Sequence, residues 1–140
     1  MSQQTIRAAF ESRLAAWAAS QVPPLTIAFE NVPFEPPEGQ DYLRAFVLPA
    51  ATRSGDMRGT HREWRGIFQV TAVTLPGRGP GRASQILAAM DALFPVNLSM
   101  LRDGLLVRVQ EPASALTPDE TDIAYELPIS IPYQAQTYLL

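Results

Sequence analysis

A chain of 140 residues without a cysteine is long enough for one domain over residues 1–140 whose core needs no staple, and it excludes disulfides, thiol nucleophiles and thiolate metal sites. A formal net charge of −3 is too small to point to a polyanionic or polycationic partner by itself. No apolar run approaches the roughly 20 residues of a membrane span, and Met1-Ser2-Gln3-Gln4-Thr5 has neither the basic nor the apolar region of a signal peptide.

A helix is predicted over about Thr5 to Ala19, because Ile6, Phe10, Leu14 and Trp17 recur at +4, +4 and +3 and share one stripe. Pro23-Pro24 ends it, and a short strand, Leu25 to Phe29, should follow. Residues 33–39 hold three prolines and a glycine, which forbid regular structure. Val32 and Phe34 mark this stretch as a loop tied to the body of the domain. Tyr42 to Leu48 alternates as a strand covered on both faces for part of its length. Trp64 to Leu75 is the next strand, with Trp64, Phe68, Val70 and Ala72 on one face. The polar, glycine-containing stretch between them, Ala50 to Glu63, makes the pair an extended hairpin with a projecting tip.

Gly77-Arg-Gly-Pro-Gly-Arg82 leads into a second helix, about Arg82 to Phe94, striped by Ile86, Met90, Leu93 and Phe94 and stopped by Pro95. After the Asp103-Gly104 turn signal comes a strand with Leu105, Val107 and Val109 on one side. In the last strand Ile123, Tyr125, Leu127, Ile129, Ile131 and Tyr133 share a face. Pro128 and Pro132 would both aim a missing N–H to the same side, which predicts an edge strand. The order reads as α+β: one mainly antiparallel sheet flanked by two helices.

Charge is segregated along this frame. Residues 1–50 hold three arginines and five acids, residues 51–82 six and two, and residues 83–140 two and seven. A basic middle between acidic ends can steer a charged partner. Arg53, Arg58, Arg62 and Arg65 with Trp64 could contact nucleic acid through phosphates and stacking. Neighbouring aromatics, however, alternate as core residues do.

Chemistry has little to stand on. His61 is the only histidine; a hydrolase triad would need it, yet it lies in an arginine-rich loop with no orienting signature. No His/Cys cluster suggests zinc or a redox metal. Asp119-Glu-Thr-Asp122 lacks the ligand pattern of an EF-hand and reads as a solvated turn. The glycines at 77–81 lack the lysine and Ser/Thr of a P-loop. The expectation is a non-enzyme without cofactor or metal.

Ile27-Ala-Phe-Glu-Asn-Val-Pro-Phe34, Pro36-Pro-x-Gly39, Tyr42-Leu-Arg44, Leu48-Pro-Ala50, Arg65-Gly-Ile-Phe-Gln-Val70, Leu75-Pro-Gly77 and the closing strand with Pro128 and Tyr133 together resemble the tail-terminator (tail-completion) proteins of long-tailed phages, including the minor tail protein U type of lambda. The resemblance runs in order from about Ile6 to Tyr133. It implies a sheet flanked by helices and a six-membered ring that caps the tail tube, ends its polymerisation and presents a surface to the head connector. It further implies a virion protein of a phage or prophage, held in the host cytoplasm before assembly. Its partners would be further copies of itself, the tail-tube protein and the head–tail connector.

A closed ring needs complementary patches on one subunit. The arginine-rich segment 51–65 and the acidic segment 111–126 are candidates, with Arg53, Arg58, Arg62 and Arg65 carrying the basic one. Alternatively those arginines line the lumen near passing DNA. Phe34, Pro36 and Pro37 are candidates for a subunit contact through the proline-rich loop. Alternative readings are a head–tail joining (neck) protein and a nucleic-acid-binding accessory protein.

Overall fold

The computed structural model describes residues 3–30, 32–50, 53–54, 61–77, 79–121 and 124–138. In chain order the elements are α1 (Gln3–Ala19), β1 (Thr26–Phe29), β2 (Tyr42–Pro49), β3 (Arg53–Ser54) and β4 (His61–Thr74). They continue with α2 (Gly81–Leu93), β5 (Ser99–Arg102), β6 (Leu105–Val109), β7 (Ser114–Ala115), β8 (Asp119–Glu120) and β9 (Tyr125–Tyr138). All strands join one mixed sheet in the order β1-β2-β4-β9-β6-β5, with β3 beside β4 and with β7 and β8 beside β9. Only β1 with β2 is parallel, so the α+β, mainly antiparallel expectation holds.

Period-two patterning puts the core on one face. The pairs Leu43↔Ala72, Ala45↔Val70 and Val47↔Phe68 continue into Phe68↔Ile131, Val70↔Ile129 and Ala72↔Leu127, and every one of these side chains is buried. Helices α1 and α2 cover this face. Ile6, Phe10 and Leu14 of the predicted stripe are fully buried beside Ala18, while Trp17 is half-buried. Phe10 is the hub. Its ring stacks on Phe68 at 4.7 Å and meets Phe94 and Tyr133 at 5.5 Å each, tying α1 to β4, β9 and the end of α2. Such aromatic pairs each add about 0.5–1.5 kcal/mol beyond area burial.

Some boundaries differ for local reasons. Leu25 is not in a strand: its N–H donates to the Ala18 carbonyl at 3.0 Å and closes the end of α1. Leu75 lies outside β4, its N–H donating to Asp41 Oδ1 at 3.0 Å. β5 was not expected at all. It is short and mostly exposed, so it shows no alternation, yet Asp103 (φ 51°) and Gly104 (φ 78°) are the two positive-φ residues of a tight hairpin turn that joins it to β6.

The edge-strand expectation for the last strand is wrong. β9 is central: β4 pairs with it along the whole of His61↔Tyr138 to Thr74↔Tyr125, and β6, β7 and β8 take its other side. The prolines do share one side. The Pro132 carbonyl accepts from the Gln110 N–H at 3.0 Å and the Pro128 carbonyl from the Leu116 N–H at 2.8 Å. In an antiparallel ladder a residue's N–H and C=O point the same way, so the missing donors face that flank too. The flank tolerates them because the partner is cut into three pieces, leaving β9 through residues 111–113 and 117–118.

Two details fix the β2–β4–β9 register. A Cβ on Gly66 would lie 2.5 Å from the Leu48 carbonyl oxygen and 2.6 Å from the Tyr133 hydroxyl, so Tyr133 crosses directly over Gly66, its cross-strand partner. The Tyr133 hydroxyl donates to Gln3 Oε1 at 3.2 Å, and burial pushes its pKa up to about 12, against the lowering effects of Gln3 and Arg7. At the other margin β1 stops at Phe29. Glu30 then accepts the Val47 N–H at 2.6 Å, and Arg7 holds both carboxylate oxygens at 3.2 Å.

Candidate interaction surfaces

Of the candidate arginines, Arg53, Arg62 and Arg65 lie where β3 and β4 continue the β2–β4 pairing beyond the core. Pro49↔Gly66 is followed by Arg53↔Glu63 and Ser54↔Arg62, a register shifted by one residue, as in a β-bulge. Arg53 and Arg62 are therefore neighbours on paired strands, and Arg58 lies outside the described residues. Arg65 is exposed and its Nε donates to Glu63 Oε1 at 2.7 Å; Gln134 donates to the same oxygen. Trp64 is buried, so it offers no stacking platform for a base.

Phe34, Pro36 and Pro37 stand at the opposite end of β2. The Phe34 ring packs against Tyr42 at 5.3 Å, which anchors the proline-rich loop. Pro36 is exposed, Pro37 is half-buried and Val32 is 56% exposed, so the loop is tied down by Phe34 and not by Val32. Pro36 and Pro37 line a shallow cleft of about 280 Å³ with Tyr42, Val73 and Glu126. The eight residues of β2 thus separate the two groups of candidates.

The acidic segment touches β9 through two short strands. Asp119 and Glu120 form β8, opposite Glu126 and Tyr125. Thr121 turns the chain: its N–H donates to the Ala124 carbonyl at 2.9 Å and its hydroxyl oxygen accepts the Ala124 N–H at 3.1 Å. Asp122 and Ile123 lie outside the described residues. Glu126 makes an ion pair with Arg44 across the uncovered face. The far ends of the arginine-rich and acidic segments lie toward opposite ends of β9, since His61 pairs with Tyr138 and Asp119 with Glu126. Their near ends approach one another where Arg65 pairs with Gln134 and Gln110 bonds to Pro132. Twelve residue steps of strand put His61 and Asp119 on the order of 40 Å apart along β9.

The remaining chemical candidates resolve into structure. In the glycine loop before α2, Gly77 and Gly79 take positive φ (78° and 75°), while Arg78 lies outside the described residues. Arg82 then sits 3.6 Å from Asp41, an internal anion. Among the described residues no group of three or more His, Cys, Asp or Glu side chains could hold a metal, and no helix is long and apolar enough to cross a membrane. Burial raises the pKa of Glu11, against the opposing charge of Arg7. That acid lies within electrostatic reach of the Arg7–Glu30 pair.

One surface escaped the sequence reading. Between α1, the end of α2 and β5 runs an open groove of about 480 Å³, floored by Ala9, Ser12, Ala16, Leu93 and Met100 and rimmed by Arg13, Leu101 and Arg102. Leu101 is 74% exposed, and Arg13 Nε donates to the Leu93 carbonyl at 2.7 Å, closing the end of α2. The groove draws on three elements, one of them the unexpected β5, and only the Asp103-Gly104 turn signalled that strand.

A helix-covered sheet, charge at its two ends and apolar clefts on its rim describe a protein that works through its surfaces. The model of the phage tail terminator protein family matches residues 5–133. A solved structure aligns with a TM-score of 0.84 and 49% sequence identity, covering 100% of this chain and 99% of that one. Among curated proteins no sequence matches. The chain belongs to the phage tail terminator family. It is a virion tail component with a structural role in tail completion, exerted through contacts with other tail or head proteins, and its family is structural and not enzymatic.

Proposed function

We propose that the whole chain acts as one unit of a closed six-membered ring that caps the tail tube, stops its polymerisation and offers the head connector a landing surface. Family membership over residues 5–133 is the observation that carries this reading. The separation of the arginine-rich and acidic ends of β9 supports it, because a ring is built by unlike patches that meet head to tail and close. The hairpin with Arg53, Arg58, Arg62 and Arg65 and the proline loop with Phe34, Pro36 and Pro37 are then docking elements. They sit at opposite ends of β2, so one can face along the tail axis toward one partner while the other meets a second. The chain waits in the host cytoplasm until a tube is complete.

The test has two parts. Light scattering over a concentration and divalent-ion series should show a species six times the 15.4 kDa chain, with ring images in negative stain. Added to purified tubes of the same phage or prophage, the protein should decorate one tube end and halt elongation. Binding along the tube wall, or binding to connectors with no effect on tube growth, would sink the capping role. The second result would make it a neck protein.

A further inference from the structure

The acidic segment carries an ordered leucine that its own subunit leaves uncovered. Leu116, between β7 and β8, is 48% exposed, although its N–H is fixed to the Pro128 carbonyl at 2.8 Å. A backbone pinned to the central strand holds this side chain in place as a knob. Asp119 and Glu120 follow it in β8, Glu111 precedes it in the same segment, and no arginine, lysine or histidine occurs from Val109 to Leu140. The knob is thus an apolar side chain on an acidic segment.

The groove between α1 and β5 has the opposite character. Ala9, Ser12 and Ala16 line it with small side chains beside Leu93 and Met100, and among the described residues its charges come from Arg13 and Arg102, with no acid in the lining. About 480 Å³ lies within the size range of built binding clefts. An exposed leucine beside it, Leu101, adds an apolar lip.

We infer that Leu116 of one copy seats in the α1–β5 groove of the next, with Asp119 and Glu120 facing Arg102 and Arg13. This rests on the ring reading and names its subunit contact. Knob and groove are different surfaces of one chain, so the contact repeats head to tail and is able to close. It also selects between two destinations for the acidic segment. The arginine hairpin would supply charge, but its Trp64 is turned into its own core, whereas the groove supplies charge and an apolar seat together. The hairpin is left free for a tube, connector or DNA partner.

The absence of cysteine makes disulfide trapping clean. A chain carrying Leu116→Cys and Ser12→Cys, both at exposed positions, should give a reducible ladder of oligomers under mild oxidation. The two single variants mixed together should give only a dimer containing one of each. A charge swap gives an independent readout. Arg102→Glu should weaken self-association in light scattering by about tenfold, as like charges meet, and adding Glu120→Arg should recover most of it. Rings in light scattering without this ladder, or a ladder from Leu116→Cys with Arg53→Cys in its place, would overturn the knob-in-groove contact and leave the ring standing. Monomer mass and no cross-link at roughly millimolar protein, where weak contacts are still trapped, would overturn both.

Discussion

The two flanks of β9 solve the same problem in opposite ways. Against β4, fourteen consecutive residues pair without a break. Against β6, β7 and β8, four pairs, then two, then two are made, with the chain leaving the strand between them. The continuous flank is locked by side chains that fit only one register, Gly66 beneath Tyr133 above all. The broken flank is held by three short ladders, extended by single hydrogen bonds to the carbonyls of Pro132 and Pro128. A proline can therefore occupy a central strand when its neighbour is segmented opposite the missing donor. One flank carries the fold, and the other is free to present loops such as the one bearing Leu116.

The largest effect that would sharpen this contrast lies on the continuous side. Gly66→Ala puts a methyl group against the Leu48 carbonyl and the Tyr133 ring, and neither can retreat without moving a strand. The expected loss is about 3 kcal/mol, or roughly 10 °C in Tm, measured by thermal unfolding. A loss below about 1 kcal/mol would mean that the flank is not close-packed.

Next in size is Tyr133→Phe, which removes the hydrogen bond to Gln3 and should cost about 1 kcal/mol in urea unfolding. It also has a signature in alkali. With a folded pKa raised to about 12, the neutral phenol is favoured in the native state. Its contribution is therefore intact below pH 10 and lost as pH rises through about 12. Ultraviolet titration of the wild type should show one late tyrosinate step that the variant lacks; a step near pH 10 from this residue would contradict its burial.

The smallest effect belongs to the broken side. Pro128→Val restores a donor where the partner chain is already segmented, so stability should change by less than about 1 kcal/mol in either direction. In native-state hydrogen exchange the Gln110 and Leu116 amides should exchange at least about tenfold faster than the paired interior amides of β4, such as Phe68 and Val70. Equal protection on both sides would erase the distinction.

What could be read in advance followed from periodicity. The stripe Ile6, Phe10 and Leu14, the α2 stripe and the alternating strands are local patterns, and they became the core. The orientation of Pro128 and Pro132 was legible too, because the parity of a strand decides it. The conclusion drawn from it failed because strand order is a nonlocal property: nothing in residues 125–138 says that residues 105–120 return beside them in three pieces. Ser99-Met-Leu-Arg102 was missed because an exposed edge strand shows no alternation. With it went the groove, whose alanines look like ordinary helix positions. The arginine hairpin was visible as a charged hairpin, and its partner is a property of another surface.

The Glu30 carboxylate has a consequence for behaviour at high concentration. Where β1 ends, an open sheet margin would ordinarily present the Val47 donor to any extended segment passing by, the commonest start of edge-to-edge aggregation. Here that donor is already bonded to a carboxylate that Arg7 grips from α1. An intruding chain would have to displace a charge held in place by another charge. That one donor of the margin is thus withheld from a passing strand.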